Sequence, residues 1–69
     1  MTISLQLNGE ARHCPDGLSL QQALQHFGYE PRLVVVEFND EVLARRQWPE
    51  QQLSEGDVLE VVTIVGGGS

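Results

Sequence analysis

The sequence has no lysine, a single cysteine and only four aromatic residues among its 69 positions. One cysteine excludes an internal disulfide, a zinc site built from thiolates alone and an iron–sulfur cluster, since each needs several thiolates. No apolar stretch approaches the roughly 18 residues of a membrane-spanning helix, and the N-terminus lacks the basic flank and apolar segment of an export signal. We therefore expect a cytoplasmic protein.

Positive charge is also scarce. Ten Asp and Glu residues oppose four Arg, which gives a formal net charge of -6, and seven of those acids lie in residues 35–69 beside only two Arg. Nucleic acids and anionic membranes are poor partners for such a chain, because their binding depends on cationic side chains. A basic protein surface is a better partner, since complementary charge steers encounter.

The composition is that of one small globular domain. Apolar residues make up 41% of the chain, which is typical of a folded domain and too high for a disordered acidic tail. A core of this size rarely supplies more than about 3–5 kcal/mol of stability. There is accordingly little room for a deep catalytic cavity.

The first fifteen residues predict a β-hairpin. Apolar and polar residues alternate over residues 2–8, which is the pattern of a half-buried strand. Asn8-Gly9 suits a type I′ turn, because both central residues of that turn need positive φ. A second strand is expected over Glu10–Cys14.

Residues 18–28 carry the signals of a helix. Ser19 is a suitable N-cap, and Gln22 three residues later completes a capping box. Gly28 is placed to end the helix in the left-handed conformation, and Pro31 prevents its continuation. One apolar stripe is formed by residues at i, i+3, i+4 and i+7, namely Leu20, Ala23, Leu24 and Phe27.

Three further apolar segments complete the predicted sheet. Residues 33–38 and 58–65 are rich in β-branched side chains, and residues 42–44 form a short piece between them. The following loop contains Trp48, which we expect to pack on the edge of the core. This order predicts an α+β domain over residues 1–65, with a mixed sheet of four to five strands and one helix packed on one face.

The sheet face opposite the helix is predicted to be apolar. Alternation places Leu33 and Val35 of the third strand on this face, together with Val62 and Ile64 of the last strand. A sheet covered on one side normally shows water a polar face, so the patch suggests a docking surface for a partner protein. The alternative is that the loop over residues 39–57 folds across part of it.

No residue pattern typical of an enzyme or a metal site emerges. Cys14 and His13 are neighbours in a strand, so their side chains point to opposite faces and cannot pair; a buried or half-buried thiol is expected. His26 is expected on a solvated flank of the helix. Neither His has the further groups that a metal site or a catalytic triad needs. We expect a protein that is not an enzyme and binds no cofactor itself.

The residues after the last strand are Gly66-Gly67-Gly68-Ser69. One interpretation is a frayed or linker-like tail, because glycine loses most entropy on ordering. The other is a thin arm without Cβ atoms that threads a narrow enzyme channel. Four extended residues reach roughly 13–14 Å.

Four segments together resemble the ThiS family, the sulfur carrier proteins of bacterial thiamin biosynthesis. They are LQLNGE in the hairpin, LSLQQAL in the helix, VVVEFNDEVLARRQW at 34–48, and LSEGDVLEVVTIVGGG at 53–68. The resemblance covers nearly the whole chain. It implies a ubiquitin-like β-grasp fold and a function carried by the C-terminal glycine.

For this chain the resemblance implies that Gly68 is the modified residue and that Gly66 and Gly67 thread the tail into a partner. An adenylating enzyme of the ThiF type would activate the Gly68 carboxylate with ATP and magnesium bound by that enzyme. A persulfide-bearing enzyme would supply sulfur, and thiazole synthase (ThiG) would receive it from the resulting thiocarboxylate. Leu33, Val35, Val62 and Ile64 would form the partner-binding surface.

Two other functions remain compatible with the sequence. The small subunit of molybdopterin synthase is a sibling sulfur carrier with the same fold and tail, and a non-covalent ubiquitin-like domain would bind through its sheet alone. The family ends on glycine, whereas Ser69 follows Gly68 here. We expect Gly68 to be the working terminus and Ser69 to be trimmed or foreign.

Overall fold

The computed structural model describes residues 1–64, which form a sheet with one helix packed across it. The elements in chain order are β1 (Thr2–Leu7), β2 (Glu10–Pro15), α1 (Leu20–His26), β3 (Val34–Phe38), β4 (Glu41–Val42) and β5 (Val58–Thr63). Two short 3₁₀ turns, Pro31–Leu33 and Arg45–Gln47, precede β3 and follow β4. Among these residues no helix is long and apolar enough to cross a membrane.

The hairpin and its turn are as predicted. β1 and β2 pair antiparallel with Leu7 opposite Glu10, and the two residues between them have φ of 53° at Asn8 and 83° at Gly9. Both values are positive, as a type I′ turn requires. The turn therefore fixes the register of β1 against β2.

The predicted capping box begins the helix. The Ser19 hydroxyl accepts a hydrogen bond from the Gln22 backbone N–H at 3.2 Å, and the Gln22 side-chain carbonyl accepts one from the Ser19 N–H at 3.0 Å. Gly28 has φ of 92° just after the helix ends, and the Tyr29 N–H closes the last turn on the Leu24 carbonyl at 2.9 Å. Both predicted ends of the helix are confirmed.

The strand order in the sheet is β2-β1-β5-β3-β4. β1 and β5 run parallel, while the other neighbouring strands are antiparallel. The chain thus enters the sheet near its centre, and its last strand lies between β1 and β3. The predicted mixed sheet with one helix is confirmed, with five strands.

Trp48 lies inside the core, and the prediction that it packs on the core edge is wrong. Its side chain is 1% exposed, and its indole N–H donates to the Leu43 carbonyl at 3.0 Å. The Arg45 guanidinium covers the indole at 5.3 Å from the ring centroid. The other buried apolar residues are Leu5, Leu7, Cys14, Leu20, Ala23, Leu24, Val34, Val36, Leu53, Leu59 and Val61.

Several strand ends differ from the predictions. β2 runs to Pro15, one residue past the predicted end at Cys14, and the short fourth strand is Glu41–Val42, where residues 42–44 were expected. Leu33 was expected in the third strand but ends a 3₁₀ turn that starts at Pro31, in which its N–H donates to the Glu30 carbonyl at 2.9 Å. The fixed φ of Pro31 favours such a turn over an extended start. β5 ends at Thr63, and Val65, the predicted strand end, lies outside the described residues.

Candidate docking face and C-terminal strand

The sheet face opposite the helix is exposed, as the alternation of the two apolar strands predicts. Leu33 is 47% exposed, Val35 36%, Val62 60% and Ile64 48%. The loop over residues 39–57 therefore leaves all four side chains accessible, and the alternative that it covers the patch does not hold for them. We call this side of the sheet the outward face.

Strand register brings the four predicted residues together. Val35 lies directly opposite Val62 in the β3–β5 ladder, and the Ile64 N–H donates to the Leu33 carbonyl at 2.7 Å. This bond continues the β3–β5 ladder by one residue pair beyond the ends of the two strands, so the Leu33–Ile64 pair lies next to Val35 and Val62 along the ladder. The patch is therefore contiguous.

Val42 extends the patch, and the sequence reasoning missed it. It pairs with Glu37 across the β3–β4 ladder, so its side chain lies on the outward face, and it is 69% exposed. The sequence signal that could have identified Val42 is Asn39-Asp40 shortly before it, since Asn and Asp tolerate positive φ in a turn. Both residues have positive φ in the structure. Such a turn returns the chain antiparallel to β3.

Two carboxylates interrupt the apolar patch. Glu37 and Glu60 are direct partners in the β3–β5 ladder and both are exposed on the outward face. Within residues 1–64 the one ion pair is Arg32–Glu30, at 3.0 Å, so neither of these glutamates is neutralised there. The outward face therefore combines apolar side chains with a concentrated negative charge.

Two asparagine side chains hold β5 along its length. The Asn8 amide accepts from the Val61 N–H at 2.7 Å and donates to the Val61 carbonyl at 3.2 Å. The Asn39 side-chain oxygen accepts from the Val58 N–H at 2.9 Å. Because β1 ends at Leu7, the Asn8 amide takes the place of a further backbone partner. The strand that leads to the C-terminal residues is thereby fixed.

Replacing Asn8 with Ala should lower the free energy of unfolding by about 2–3 kcal/mol. The two hydrogen bonds to Val61 are lost at about 1 kcal/mol each, together with a longer, exposed one to the Tyr29 hydroxyl at 3.4 Å, and Ala in the left-handed conformation costs about 1 kcal/mol more. Asn8→Gly is the matched control, because glycine tolerates positive φ and loses the hydrogen bonds alone. Urea unfolding followed by circular dichroism measures both variants. An Asn8→Ala variant as stable as the wild type would contradict this role.

The predicted tail residues Gly66, Gly67, Gly68 and Ser69 lie outside the described residues, so their roles stay predictions. The last described residue, Ile64, is itself part of the outward face. The described part of the chain therefore ends at this face.

The described residues hold no arrangement typical of enzyme chemistry. Cys14 is buried, and this burial raises the pKa of its thiol. His13 is exposed on the opposite side of the sheet, as predicted, and His26 is also exposed. No group of three or more His, Cys, Asp or Glu within residues 1–64 could hold a metal ion. A surface depression of about 280 Å³ beside the helix has no ionisable lining residue; it is lined by Ser19, Gln21, Gln22, Gln25, Pro49 and Gln52.

Comparison with known sequences gives a consistent result. The sequence profile of the ThiS family matches residues 5–68. The chain is 37% identical over 65 residues to the sulfur carrier protein ThiS of Bacillus subtilis, which covers 93% of this chain and 98% of that protein. It is 33% identical over 67 residues to a thiazole synthase of Paramagnetospirillum magneticum, which covers 97% of this chain but 21% of that protein.

Comparison with solved structures agrees. The chain superimposes on the thiamine biosynthesis protein ThiS from Geobacter metallireducens with a TM-score of 0.77 and 30% sequence identity. The match covers 96% of this chain and 100% of that one. This likeness confirms the predicted ubiquitin-like β-grasp fold.

Proposed function

Because the chain belongs to the ThiS family of sulfur carrier proteins, we propose that it carries sulfur as a thiocarboxylate at Gly68 for thiazole formation in thiamin biosynthesis. The observation that carries the proposal is the family match, which runs through β5 and includes Gly66, Gly67 and Gly68. In this role the chain is a protein cosubstrate rather than a catalyst.

The chemistry begins by activating a carboxylate, which is a poor acyl donor. Once hydrolysis of the Gly68–Ser69 bond has removed Ser69, the Gly68 carboxylate attacks the α-phosphorus of ATP in a ThiF-type adenylating enzyme, releases pyrophosphate and becomes an acyl-adenylate. The terminal sulfur of a protein persulfide then displaces AMP. A thiol cleaves the S–S bond of that product, which frees the thiocarboxylate and leaves a disulfide between the thiol and the donor cysteine. ATP and magnesium belong to the adenylating enzyme.

A thiazole synthase of the ThiG type is the proposed sulfur acceptor. Its support is the thiazole synthase of Paramagnetospirillum magneticum, in which a segment similar to this chain makes up 21% of the protein. A shared polypeptide keeps two domains at high effective concentration, which suits a carrier and its acceptor. We propose that this cycle runs in the cytoplasm, where ATP is available to the adenylating enzyme.

The outward face is the proposed contact with these enzymes. Leu33, Val35, Val62 and Ile64 are exposed and contiguous, and Ile64 is only four residues from Gly68. An enzyme that docks on this face therefore has the reactive terminus within a short reach. Four extended residues span roughly 13–14 Å.

Deleting Gly67–Ser69 tests the carrier function against a non-covalent ubiquitin-like domain. We expect the shortened chain to lose sulfur loading and to bind the adenylating enzyme more weakly, because the tail no longer reaches the nucleotide. Unfolding in urea should match that of the full chain, which serves as the control for folding. Unchanged binding and a chain ending at Gly68 that never loads sulfur would favour the non-covalent domain.

A second assay separates the two kinds of sulfur carrier. The loaded chain is mixed with thiazole synthase or with the large subunit of molybdopterin synthase, and sulfur loss from the carrier is followed by mass. We expect transfer with thiazole synthase. Transfer with the molybdopterin synthase subunit alone would assign the chain to the sibling carriers.

A further inference from the structure

The Glu37–Glu60 pair stands at the centre of the outward face. Backbone bonds link Leu33 with Ile64 and Asn39 with Val58 at the two ends of the β3–β5 ladder. Since hydrogen-bonded pairs alternate along an antiparallel ladder, Glu37 and Glu60 form such a pair, with Cα atoms about 5.5 Å apart. Val42 lies next to Glu37, and the Val35–Val62 pair lies one step along the same face.

This arrangement works against the stability of the isolated chain. Like charges directly opposite each other in a sheet are destabilising. Three of the four arginines are engaged elsewhere: Arg32 pairs with Glu30, Arg12 stacks on Phe27, and Arg45 covers Trp48 while it donates to the Val34 carbonyl at 2.9 Å. The folded domain thus presents two close carboxylates among valines.

The two carboxylates limit which partners can bind the outward face. A second copy of this chain, related by a two-fold axis, would bring four carboxylates together, because each copy contributes the same patch. A purely apolar partner would bury both carboxylates without a counter-ion, which is costly. A partner with an apolar surface and one protruding cationic side chain satisfies both parts of the face.

We propose that thiazole synthase docks on the outward face by placing an arginine or lysine side chain between Glu37 and Glu60, with apolar contacts to the surrounding valines. The inference rests on the proposed function and names the chemistry of its docking contact. The valines exclude water around the ionic contact, and a lower local dielectric strengthens it. Two acceptors side by side suit the forked donors of a guanidinium.

The test compares the wild type with the double variant Glu37→Gln/Glu60→Gln for binding to purified thiazole synthase by calorimetry. We expect Kd to rise about 10- to 100-fold, as for the removal of close interfacial charge pairs. The wild-type Kd should also rise with salt, and the variant should lose most of that dependence. The variant should unfold at an equal or higher urea concentration than the wild type, because repulsion is relieved.

The matched control is Glu10→Gln/Glu50→Gln. It removes the same net charge outside the outward face. Glu10 is the ladder partner of the buried Leu7, so its side chain lies on the other side of the sheet, and Glu50 lies in the loop after β4. We expect its Kd to stay within about twofold of the wild type, since charges outside a contact mainly affect the encounter rate. An equal loss of affinity in both double variants would show that the effect depends on net charge alone, which would overturn the inference.

Other outcomes are also decisive. If the wild type binds thiazole synthase and Glu37→Gln/Glu60→Gln binds equally well, the ionic contact is absent while the proposed function stands. If the wild type binds neither thiazole synthase nor the adenylating enzyme, the proposed function fails and this inference fails with it. Concentration-dependent dimers that Val62→Ser abolishes would show that a second copy occupies the face.

Discussion

Replacing Trp48 with Ala should unfold most of the protein at room temperature. Truncating a large buried aromatic residue costs about 3–5 kcal/mol, and a domain of this size rarely has more than about 3–5 kcal/mol to lose. The indole N–H also satisfies the Leu43 carbonyl, and the ring supports the Arg45 side chain. Both contacts disappear in the variant.

The position of Trp48 explains why the loss should spread to the helix. The Trp48 carbonyl accepts from the Gln21 N–H at 3.2 Å, and the Gln51 carbonyl accepts from the Leu20 N–H at 2.7 Å. These are the first N–H groups of α1, which have no partner inside the helix. The loop that Trp48 anchors therefore completes the start of the helix.

Trp48→Phe is the control for this prediction. It keeps an aromatic ring in the core and loses the hydrogen bond to Leu43, so we expect a smaller loss of about 1–3 kcal/mol. Far-UV circular dichroism in urea measures both variants without relying on the fluorescence of the single tryptophan. Cooperative unfolding of Trp48→Ala within about 1 kcal/mol of the wild type would contradict the central role of this residue.

The second large effect is expected on sulfur loading when the C-terminal tail is shortened. A chain that ends at Gly68 should load sulfur, whereas a chain that ends at Gly67 should load at least about 100-fold more slowly. Removing one extended residue withdraws the carboxylate by about 3.3–3.6 Å, and a misplacement of about 1 Å at a reacting centre already costs about 10²-fold. Timed mass measurements with the adenylating enzyme, ATP and a persulfide donor give both rates.

The two shortened chains are controls for each other. They share every described residue, so their unfolding in urea should coincide and any difference in loading belongs to the tail. Equal loading rates for both chains would mean that sulfur loading does not depend on the length of the tail. Gly68 would then have no special status as the modified residue.

The parts of the fold that depend on neighbouring residues were predictable from the sequence. The Asn8-Gly9 turn and the capping box of Ser19 and Gln22 each follow from contacts over two or three residues. Alternation in two apolar strands likewise identified the outward face. These signals are local, so they do not depend on how the strands are arranged.

What the sequence left open depends on contacts between distant segments. The Asn8 side chain binds Val61, 53 residues away, and no short-range pattern indicates that partner. The pairing of Glu37 with Glu60 requires the register of β3 against β5, which only the folded sheet defines. Trp48 was misplaced for the same reason, since the depth of a loop residue depends on the elements that surround it.

The most direct measurement is the intact mass of the full chain after incubation with the adenylating enzyme, ATP and a persulfide donor. The account predicts that the chain gains one sulfur in place of one oxygen only when ATP is present and only after a peptidase has removed Ser69 by hydrolysing the Gly68–Ser69 bond. A chain that keeps Ser69 and its original mass, under conditions in which the chain ending at Gly68 also stays unchanged, would contradict the proposal that this protein carries sulfur.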